Sequence, residues 1–250
     1  MEKKHKLNPA ARGGKFVSVA AKETPFAFVE AYKSLRTNIG FLANVSGVRS
    51  ILITSAVPME SKSTTAINLA ITLADSGHSV VLVECDLRKP VLRKYLKREL
   101  GQSGLAAYLA GLVSLDDCIM DLPDLGLSVI GAGVVPPNPS ELLNTARMQE
   151  LVELLKHNFD YVILDAPPVA VVTDAAVVGR LTDGALLVVR SKFASARTVR
   201  QAKAKLENVG VRVLGGVLTR FNMRKSGWRS GYDYNYNQYQ YGYGQRRGSR

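Results

Sequence analysis

A lysine followed by hydroxyl side chains lies in a segment suited to binding phosphate. This segment, SAVPMESKSTT, runs from Ser55 to Thr65, between a predicted strand and a predicted helix. In a phosphate loop of this kind, backbone N–H groups and a helix N-terminus surround the anion. A lysine then neutralises the β- and γ-phosphates, and the next hydroxyl binds magnesium. Lys62 and Ser63 occupy those two positions. We therefore expect the phosphate-binding residues to be Met59, Glu60, Ser61, Lys62, Ser63 and Thr64.

The spacing within this segment departs from the usual phosphate loop. The pattern GxxxxGK[ST] would place glycines at positions 56 and 61, where this chain has Ala56 and Ser61. A β-carbon at position 61 can interfere where the backbone approaches phosphate closely or adopts a positive φ. Taken alone, the segment leaves open a second interpretation, an ordinary serine-rich helix with an N-cap.

Carboxylates at the ends of two predicted strands favour the nucleotide site. Glu84 and Asp86 finish the apolar run VVLVECD, and Asp165 finishes YVILD. Magnesium prefers oxygen ligands and usually keeps several waters, so carboxylates beside a phosphate loop suit Mg-ATP chemistry. An acid at a strand end is otherwise commonly a helix N-cap, but three at suitable ends are an improbable coincidence. The candidate metal ligands are Ser63, Asp86 and Asp165.

The elements that would position these residues alternate between strand and helix. Apolar runs at 50–55, 80–86, 161–169 and 184–190, with others at LSVIGAG and VRVLGGVLTR, predict strands. Segments with apolar residues at helical spacing separate most of them, such as the one after Lys62 and the one around residues 148–157. Buried strands joined by helices predict a doubly wound α/β fold, a mainly parallel sheet with helices on both faces. Ligands of such folds bind beyond the carboxyl ends of the strands.

Composition limits the class of protein. The chain has 250 residues, of which 46% are hydrophobic and 22% charged, enough for one α/β domain or two small ones. It contains no apolar run long enough for a membrane span and no apolar run after its first basic residues, so we expect a cytoplasmic protein. Cys85 and Cys118 form no CxxC pair, and the three histidines show no metal spacing, so magnesium is the one metal expected.

The net charge of +12 is concentrated at the two ends of the chain. Residues 1–22 carry six basic side chains against Glu2, and residues 221–250 carry six against Asp233, so each end has a net charge of +5. Basic ends suggest contact with an anionic surface, either nucleic acid or the inner leaflet of a membrane, although solubility alone is an equal alternative. A further basic run, from Arg88 to Arg98, favours a solvated helix face over contact with another protein or a phosphate.

The last thirty residues differ in character from the rest. They contain almost no aliphatic residues, so we expect them to be disordered. Six tyrosines fall within twelve positions of this tail: Tyr232, Tyr234, Tyr236, Tyr239, Tyr241 and Tyr243. Composition alone leaves open an aggregation-prone tract or an RNA-binding tail. The predicted organisation is a basic extension over 1–23, a nucleotide-binding domain over 24–220 and the tyrosine-rich tail over 221–250.

The phosphate loop, four further segments and this tail together resemble the bacterial tyrosine kinases of capsular and exopolysaccharide synthesis. VVLVECDLRKP resembles their second Walker motif and FDYVILDAPPV their Walker B segment. PPNPSELL and EAYKSLRTNIGF resemble flanking signatures of that family. The resemblance covers the chain from about Thr24 to its end. It implies a P-loop NTPase fold that uses ATP and Mg²⁺ to phosphorylate tyrosines of its own C-terminal cluster.

The same resemblance implies several partners. These are a membrane-bound activator that controls polysaccharide chain length, a cognate tyrosine phosphatase and further copies of the chain, assembled into a homo-oligomer such as a ring. The activator would hold the protein at the inner face of the plasma membrane, and no specific nucleic acid is expected. The family's association motif, ExxRxxR, corresponds here to Glu30, Lys33 and Arg36.

The resemblance also assigns catalytic roles to Lys62, Glu84, Asp86 and Asp165. Lys62 would hold the phosphates, Asp86 would contact magnesium and Asp165 would complete the magnesium shell. Glu84 stands where the family has the first aspartate of a DxD pair, and we expect it to orient or deprotonate the tyrosine hydroxyl. The chain departs from the family's GEGK loop at Met59 and Ser61.

Two other functions remain compatible with the sequence. One is a chromosome-partitioning ATPase that binds DNA, but such proteins carry a second lysine near the start of the loop, where this chain has Ala56 and Val57. The other is a nucleotide-binding regulatory module of the same polysaccharide system that has lost catalysis. The replaced loop glycines are the feature that suggests it.

Overall fold

A computed structural model describes residues 16–221. In this part of the chain, seven strands form one sheet in the order β3-β4-β2-β5-β1-β6-β7. The strands are β1 Ser50–Ser55, β2 Val80–Glu84, β3 Ile119–Leu122, β4 Leu127–Ile130, β5 Tyr161–Asp165, β6 Gly184–Arg190 and β7 Val213–Thr219. All neighbouring strands are parallel except β3 and β4.

The eight helices of the described residues lie in the connections and before the first strand. They are α1 Phe26–Ser46, α2 Lys62–Ala74, α3 Leu92–Leu96, α4 Leu105–Leu109, α5 Pro139–Leu143, α6 Ala146–Asn158, α7 Asp174–Gly179 and α8 Ala196–Glu207. The strands β1, β2 and β5 are buried along their whole length, which is typical of the centre of a parallel sheet covered on both faces.

Side chains on the two faces of the sheet belong to two separate hydrophobic clusters. Leu52 of β1 lies in a cluster with residues of α4, α6, α7 and α8. Its neighbours Ile51 and Ile53 lie in the other cluster, with residues of α1, α2 and α3. Alternate strand residues thus pack against helices on opposite faces. This confirms the doubly wound, mainly parallel α/β fold.

The central strands bring the predicted site together. In the register between β1 and β5, Ile53 is opposite Asp165, and between β2 and β5, Glu84 is opposite Asp165. The phosphate loop follows β1 directly, so the loop and the carboxylates meet at the carboxyl edge of the sheet. This is the edge at which ligands of doubly wound folds bind.

Several elements differ from the sequence expectation or add to it. The long helix α1 and the antiparallel strand β3 were not predicted, and the segment PPNPSELL contains the short helix α5. The C-cap of α2 is Asp75, and Gly77 lies beyond it at φ 90°. A positive φ there accounts for the glycine, because such a backbone strains other residues.

The predicted domain boundaries are not tested by these elements. The basic extension lies largely outside the described residues, and the six tail tyrosines lie wholly outside them. Among residues 16–221, no helix is both long and apolar enough to span a bilayer.

Candidate active site

The loop between β1 and α2 keeps the backbone of a glycine-containing phosphate loop although its glycines are replaced. Met59 has φ 67° and Ser61 has φ 73°, both in the left-handed region. These are the two positions where the tyrosine-kinase motif has glycine. Ser61 then accepts hydrogen bonds at its carbonyl oxygen from the Thr65 backbone nitrogen, at 2.9 Å, and from Thr65 Oγ1, at 3.0 Å. Both positions therefore hold a backbone conformation that glycine adopts freely and that strains a residue with a side chain.

Glu60 braces this loop, a role that the sequence did not reveal. Its side chain is fully buried. One carboxylate oxygen accepts from the Val57 backbone nitrogen at 2.9 Å, and the other accepts from the Arg190 backbone nitrogen at 3.2 Å. The Glu60 carbonyl oxygen accepts from Thr219 Oγ1 at 2.9 Å. These contacts tie the loop to β6 and β7, so Glu60 holds the loop's shape through its carboxylate.

The Lys62 side chain lies close to three other predicted catalytic or metal-binding side chains. Its Nζ atom lies 2.9 Å from Asp86 Oδ2, 3.4 Å from Asp165 Oδ1 and 3.3 Å from Ser63 Oγ. Burial alone would lower the pKa of Lys62, but Asp165 and Asp86 raise it above its ordinary value. The lysine is therefore protonated at neutral pH and carries the charge that a phosphate loop needs.

One lysine faces two carboxylates in this cluster, which leaves an excess of negative charge. Asp165 is fully buried, and burial raises the pKa of its carboxyl above the ordinary value despite the Lys62 charge. Its Oδ2 atom has no hydrogen-bond partner among the described residues. A buried, unpartnered carboxylate oxygen is costly unless a cation or a donor approaches it.

These residues fit a magnesium ion that is held partly by nucleotide phosphates. Ser63, Asp86 and Asp165 supply hard oxygen ligands. Residues 16–221 contain no group of three or more His, Cys, Asp or Glu side chains placed to hold a metal alone. Magnesium suits such a site because it commonly binds one or two carboxylates together with substrate phosphates and water.

Glu84 lies at the end of β2, but its contacts differ from those expected of a base. Its carboxylate is buried and accepts three backbone hydrogen bonds: from Val91 at 2.5 Å, Leu92 at 2.8 Å and Ala132 at 3.2 Å. These bonds tie β2 to the start of α3 and to the segment after β4. Burial raises the pKa of the Glu84 carboxyl despite these three donors. This geometry weighs against the predicted role in deprotonating tyrosine and favours an anchoring role.

The basic run after β2 is not a single solvated helix face. Arg88 precedes α3 and pairs with Asp174, a buried carboxylate at the start of α7. No local sequence pattern indicates this pair, because 86 positions separate the two residues. Arg93 and Lys94 do lie exposed on α3, as the helix-face interpretation expected.

The predicted association residues lie on α1. Glu30 and Lys33 form an ion pair at 2.8 Å. Arg36 donates from Nη1 to the Thr72 carbonyl oxygen of α2 at 3.1 Å. Arg36 thus binds within its own chain, and the role of the three residues in self-association remains a prediction.

The sheet and the cluster around Lys62 define a P-loop ATPase. A family model described as an AAA domain matches residues 60–212. The chain is 36% identical over 205 residues to tyrosine-protein kinase YwqD of Bacillus subtilis (strain 168), which covers 82% of this chain and 85% of YwqD. The kinase domain of Escherichia coli tyrosine kinase ETK superimposes with a TM-score of 0.77 at 34% identity, covering 87% of each chain. The chain belongs to the bacterial tyrosine-protein kinase family.

A cell-division ATPase shares the fold at greater distance. The septum site-determining protein MinD of Pyrococcus horikoshii, solved with Mg-ADP, superimposes with a TM-score of 0.60 at 24% identity. The superposition covers 68% of this chain and 69% of the MinD chain. This likeness shows the common fold alone.

Proposed function

We propose that this chain transfers the γ-phosphoryl group of Mg-ATP to tyrosine hydroxyls of its own C-terminal cluster, and that this activity regulates capsular or exopolysaccharide synthesis and export. The observation that carries the proposal is the position of Lys62 between Asp86 and Asp165 at the end of the phosphate loop. Family membership supports tyrosine as the acceptor.

The loop and Lys62 would bind the nucleotide. Backbone amides from Met59 to Thr64 face the phosphates in a loop of this kind, and the N-terminus of α2 adds its partial positive charge. Lys62 would contact the β- and γ-phosphate oxygens in place of part of its contact with Asp86 and Asp165. The carboxylate oxygens of these two residues would then be available to hold magnesium.

Magnesium, when bound, neutralises charge that develops on the transferred phosphoryl group. Ser63, Asp86 and Asp165 would hold it, because they are the oxygen-bearing side chains gathered around Lys62. Positioning and charge neutralisation dominate phosphoryl transfer through a loose transition state. Strong general-base catalysis is therefore not required, which agrees with the engaged carboxylate of Glu84.

The acceptors we propose are the six tail tyrosines between positions 232 and 243. An unstructured segment from Arg220 to Tyr236 would have a root-mean-square span of about 22 Å, enough to reach a neighbouring subunit. Tethering raises the local tyrosine concentration to roughly the millimolar range within an assembly. Transfer between subunits therefore needs little sequence-specific recognition of the tail.

The partners follow from the same proposal. Self-association through the surface of Glu30, Lys33 and Arg36 would bring one copy's tail to another copy's site. A membrane-bound chain-length activator would hold the cytoplasmic kinase at the inner face of the plasma membrane, and a tyrosine phosphatase would reverse the modification. Each phosphate adds about −1.5 to −2 charges at pH 7, so three of them would neutralise the +5 charge of residues 221–250. Loss of that charge would loosen the assembly.

A mixing experiment tests transfer between subunits. An inactive Lys62→Met chain with an intact tail is combined with an active chain whose six tail tyrosines are phenylalanine. We expect phosphotyrosine on the inactive chain and a smaller hydrodynamic size after labelling. No label on the inactive chain, under conditions where the wild type labels itself, would reject transfer between subunits. Label without a decrease in size would reject the disassembly step alone.

A further inference from the structure

Asp174 is a buried carboxylate that joins three segments distant in the sequence. It stands at the start of α7 and is fully inaccessible to solvent. Its Oδ2 atom accepts from Arg88 Nε at 2.7 Å, and its Oδ1 atom accepts from Arg88 Nη2 at 3.2 Å. Ser140 Oγ, on α5, donates to Asp174 Oδ1 at 2.5 Å and accepts from Arg88 Nη2 at 2.7 Å. The three side chains form a closed triangle of hydrogen bonds.

The chemistry of this triangle depends on all three side-chain types. A buried carboxylate is costly unless it is paired and hydrogen-bonded, and an arginine fork satisfies both of its oxygens at once. Lysine would supply a point charge without the fork. The serine hydroxyl acts as donor and acceptor together, which closes the triangle. Asp174 therefore fixes the position of the Arg88 guanidinium and of the backbone that carries it.

Arg88 lies in the middle of the loop that carries Asp86, between β2 and α3. The two ends of this loop are held separately. At its start, the Cys85 backbone nitrogen donates to the Asp165 carbonyl oxygen at 2.8 Å, and at its end Glu84 accepts from Val91 and Leu92. Asp86 itself accepts from the Lys89 backbone nitrogen at 3.1 Å, so its orientation depends on the backbone on both sides of Arg88.

We propose that Asp174, Arg88 and Ser140 form a clamp that positions Asp86 toward the nucleotide and its magnesium ion. The three are positioning residues, because they act through the loop and not on the substrate. The clamp also links the loop after β2 to the start of α7, the helix that follows β5 and its last residue Asp165. Its functional consequence rests on the proposed use of Asp86 as a magnesium ligand.

The clamp predicts a particular pattern of defects. Asp174→Asn, Arg88→Lys and Ser140→Ala should each raise the magnesium concentration needed for half-maximal kinase activity, by about tenfold for the first two, since loss of residues supporting a metal ligand commonly costs that much affinity. KM for ATP at saturating magnesium should change less than about twofold, because the phosphate loop is untouched. Ser140→Ala should have the smallest effect, because the ion pair remains.

Amide hydrogen exchange gives a readout that needs no magnesium and no activity. In the full-length protein without nucleotide, the amides of residues 86–90 should exchange faster in Asp174→Asn and Arg88→Lys than in the wild type. Exchange in the phosphate loop should stay unchanged. Calorimetric titration of magnesium into the ADP-bound protein should show weaker binding in the same two variants. Lys94→Ala is the matched control, because it removes an exposed basic residue of the same run on α3.

The outcomes separate the clamp from a purely structural role. Unchanged exchange at 86–90 together with unchanged magnesium dependence would overturn the proposal. Faster exchange throughout the protein with a lower melting temperature would also overturn it, because it would show general destabilisation. Should Asp174→Asn fail to fold, Arg88→Lys and Ser140→Ala carry the same test. A wild type without tyrosine phosphorylation would reject the proposed function, while exchange and calorimetry would still decide the clamp.

Discussion

Replacing Met59 and Ser61 by glycine should stabilise the protein without markedly changing its affinity for ATP. Both residues hold the left-handed backbone conformation. We expect the free and the nucleotide-bound protein to share this conformation, so the strain is common to both states. Ligand affinity changes only where a substitution affects the free and bound states differently.

The size of the effect follows from the two backbone angles. A left-handed conformation costs a residue with a side chain roughly 1–2 kcal/mol. Glycine relieves this cost, but it also gives the unfolded chain additional conformational freedom. That freedom offsets the stabilisation by roughly 0.5–1 kcal/mol. The net gain is about 0.5–1 kcal/mol at each position. For a protein of this size the double variant should melt about 2–8 °C higher, since 1 kcal/mol corresponds to roughly 2–4 °C.

Thermal melting and calorimetric titration with ATP and magnesium measure the two quantities. Ser61→Ala and Met59→Ala are matched controls, because they shorten the side chain but keep the β-carbon and its strain. They should give no comparable gain in melting temperature. ATP affinity of the double glycine variant should stay within about threefold of the wild type, well under the tenfold that 1.4 kcal/mol represents. A tighter affinity beyond that range would show that a β-carbon obstructs phosphate. An unchanged melting temperature would refute the argument from strain.

Three further substitutions separate anchoring from catalysis at and near the strand ends. Glu84→Gln should retain kinase activity within about tenfold, because Glu84 acts as an anchor and loss of a general base would cost about 10²–10⁴. Asp86→Asn should lose more than about a hundredfold of the activity. A comparable loss in both variants would restore the role of general base to Glu84. Asp165→Asn should abolish phosphotyrosine yet raise the melting temperature of the nucleotide-free protein near neutral pH, because burial raises the pKa of the Asp165 carboxyl. A group with a raised pKa contributes stability that is fully present below its ordinary pKa of 3.8 and is lost as pH rises through the raised pKa. The difference in melting temperature between Asp165→Asn and the wild type should therefore grow from pH 4 toward 7. A constant difference across that range would contradict the assignment.

The predictions from sequence were best where an apolar strand run ends in residues suited to binding phosphate or magnesium. The strands β1 and β5 were expected from apolar runs at 50–55 and 161–169. The strand β1 has the predicted bounds, and β5 begins where it was expected but ends at Asp165. Their parallel pairing follows because buried strands joined by helices pack in one sheet. The cluster of Lys62 with Asp86 and Asp165 could thus be anticipated from strand ends alone, while its distances could not.

Other features depend on contacts between distant segments. The brace formed by Glu60 requires β6 and β7 to lie beside the loop, and no local pattern signals it. The pairing of Arg88 with Asp174 likewise arises only when the segments after β2 and β5 meet. Glu84 has the residue type of a catalytic acid, but its three backbone donors come from segments 7 to 48 positions away. The short antiparallel strand β3 pairs through a tight connection at the sheet edge, where apolar pattern is weak.

The most direct test of the central claim is to measure phosphotyrosine on the purified full-length chain after incubation with ATP and magnesium. Mass spectrometry would locate the modified residues, with and without the cytoplasmic segment of the membrane activator. Our account predicts phosphate on tyrosines between positions 232 and 243 in the wild type. It predicts at least a hundredfold less in Lys62→Met, since each roughly 1.4 kcal/mol of lost transition-state stabilisation is a factor of ten. A wild type with no phosphotyrosine under either condition, or a Lys62→Met variant labelled as strongly as the wild type, would contradict it.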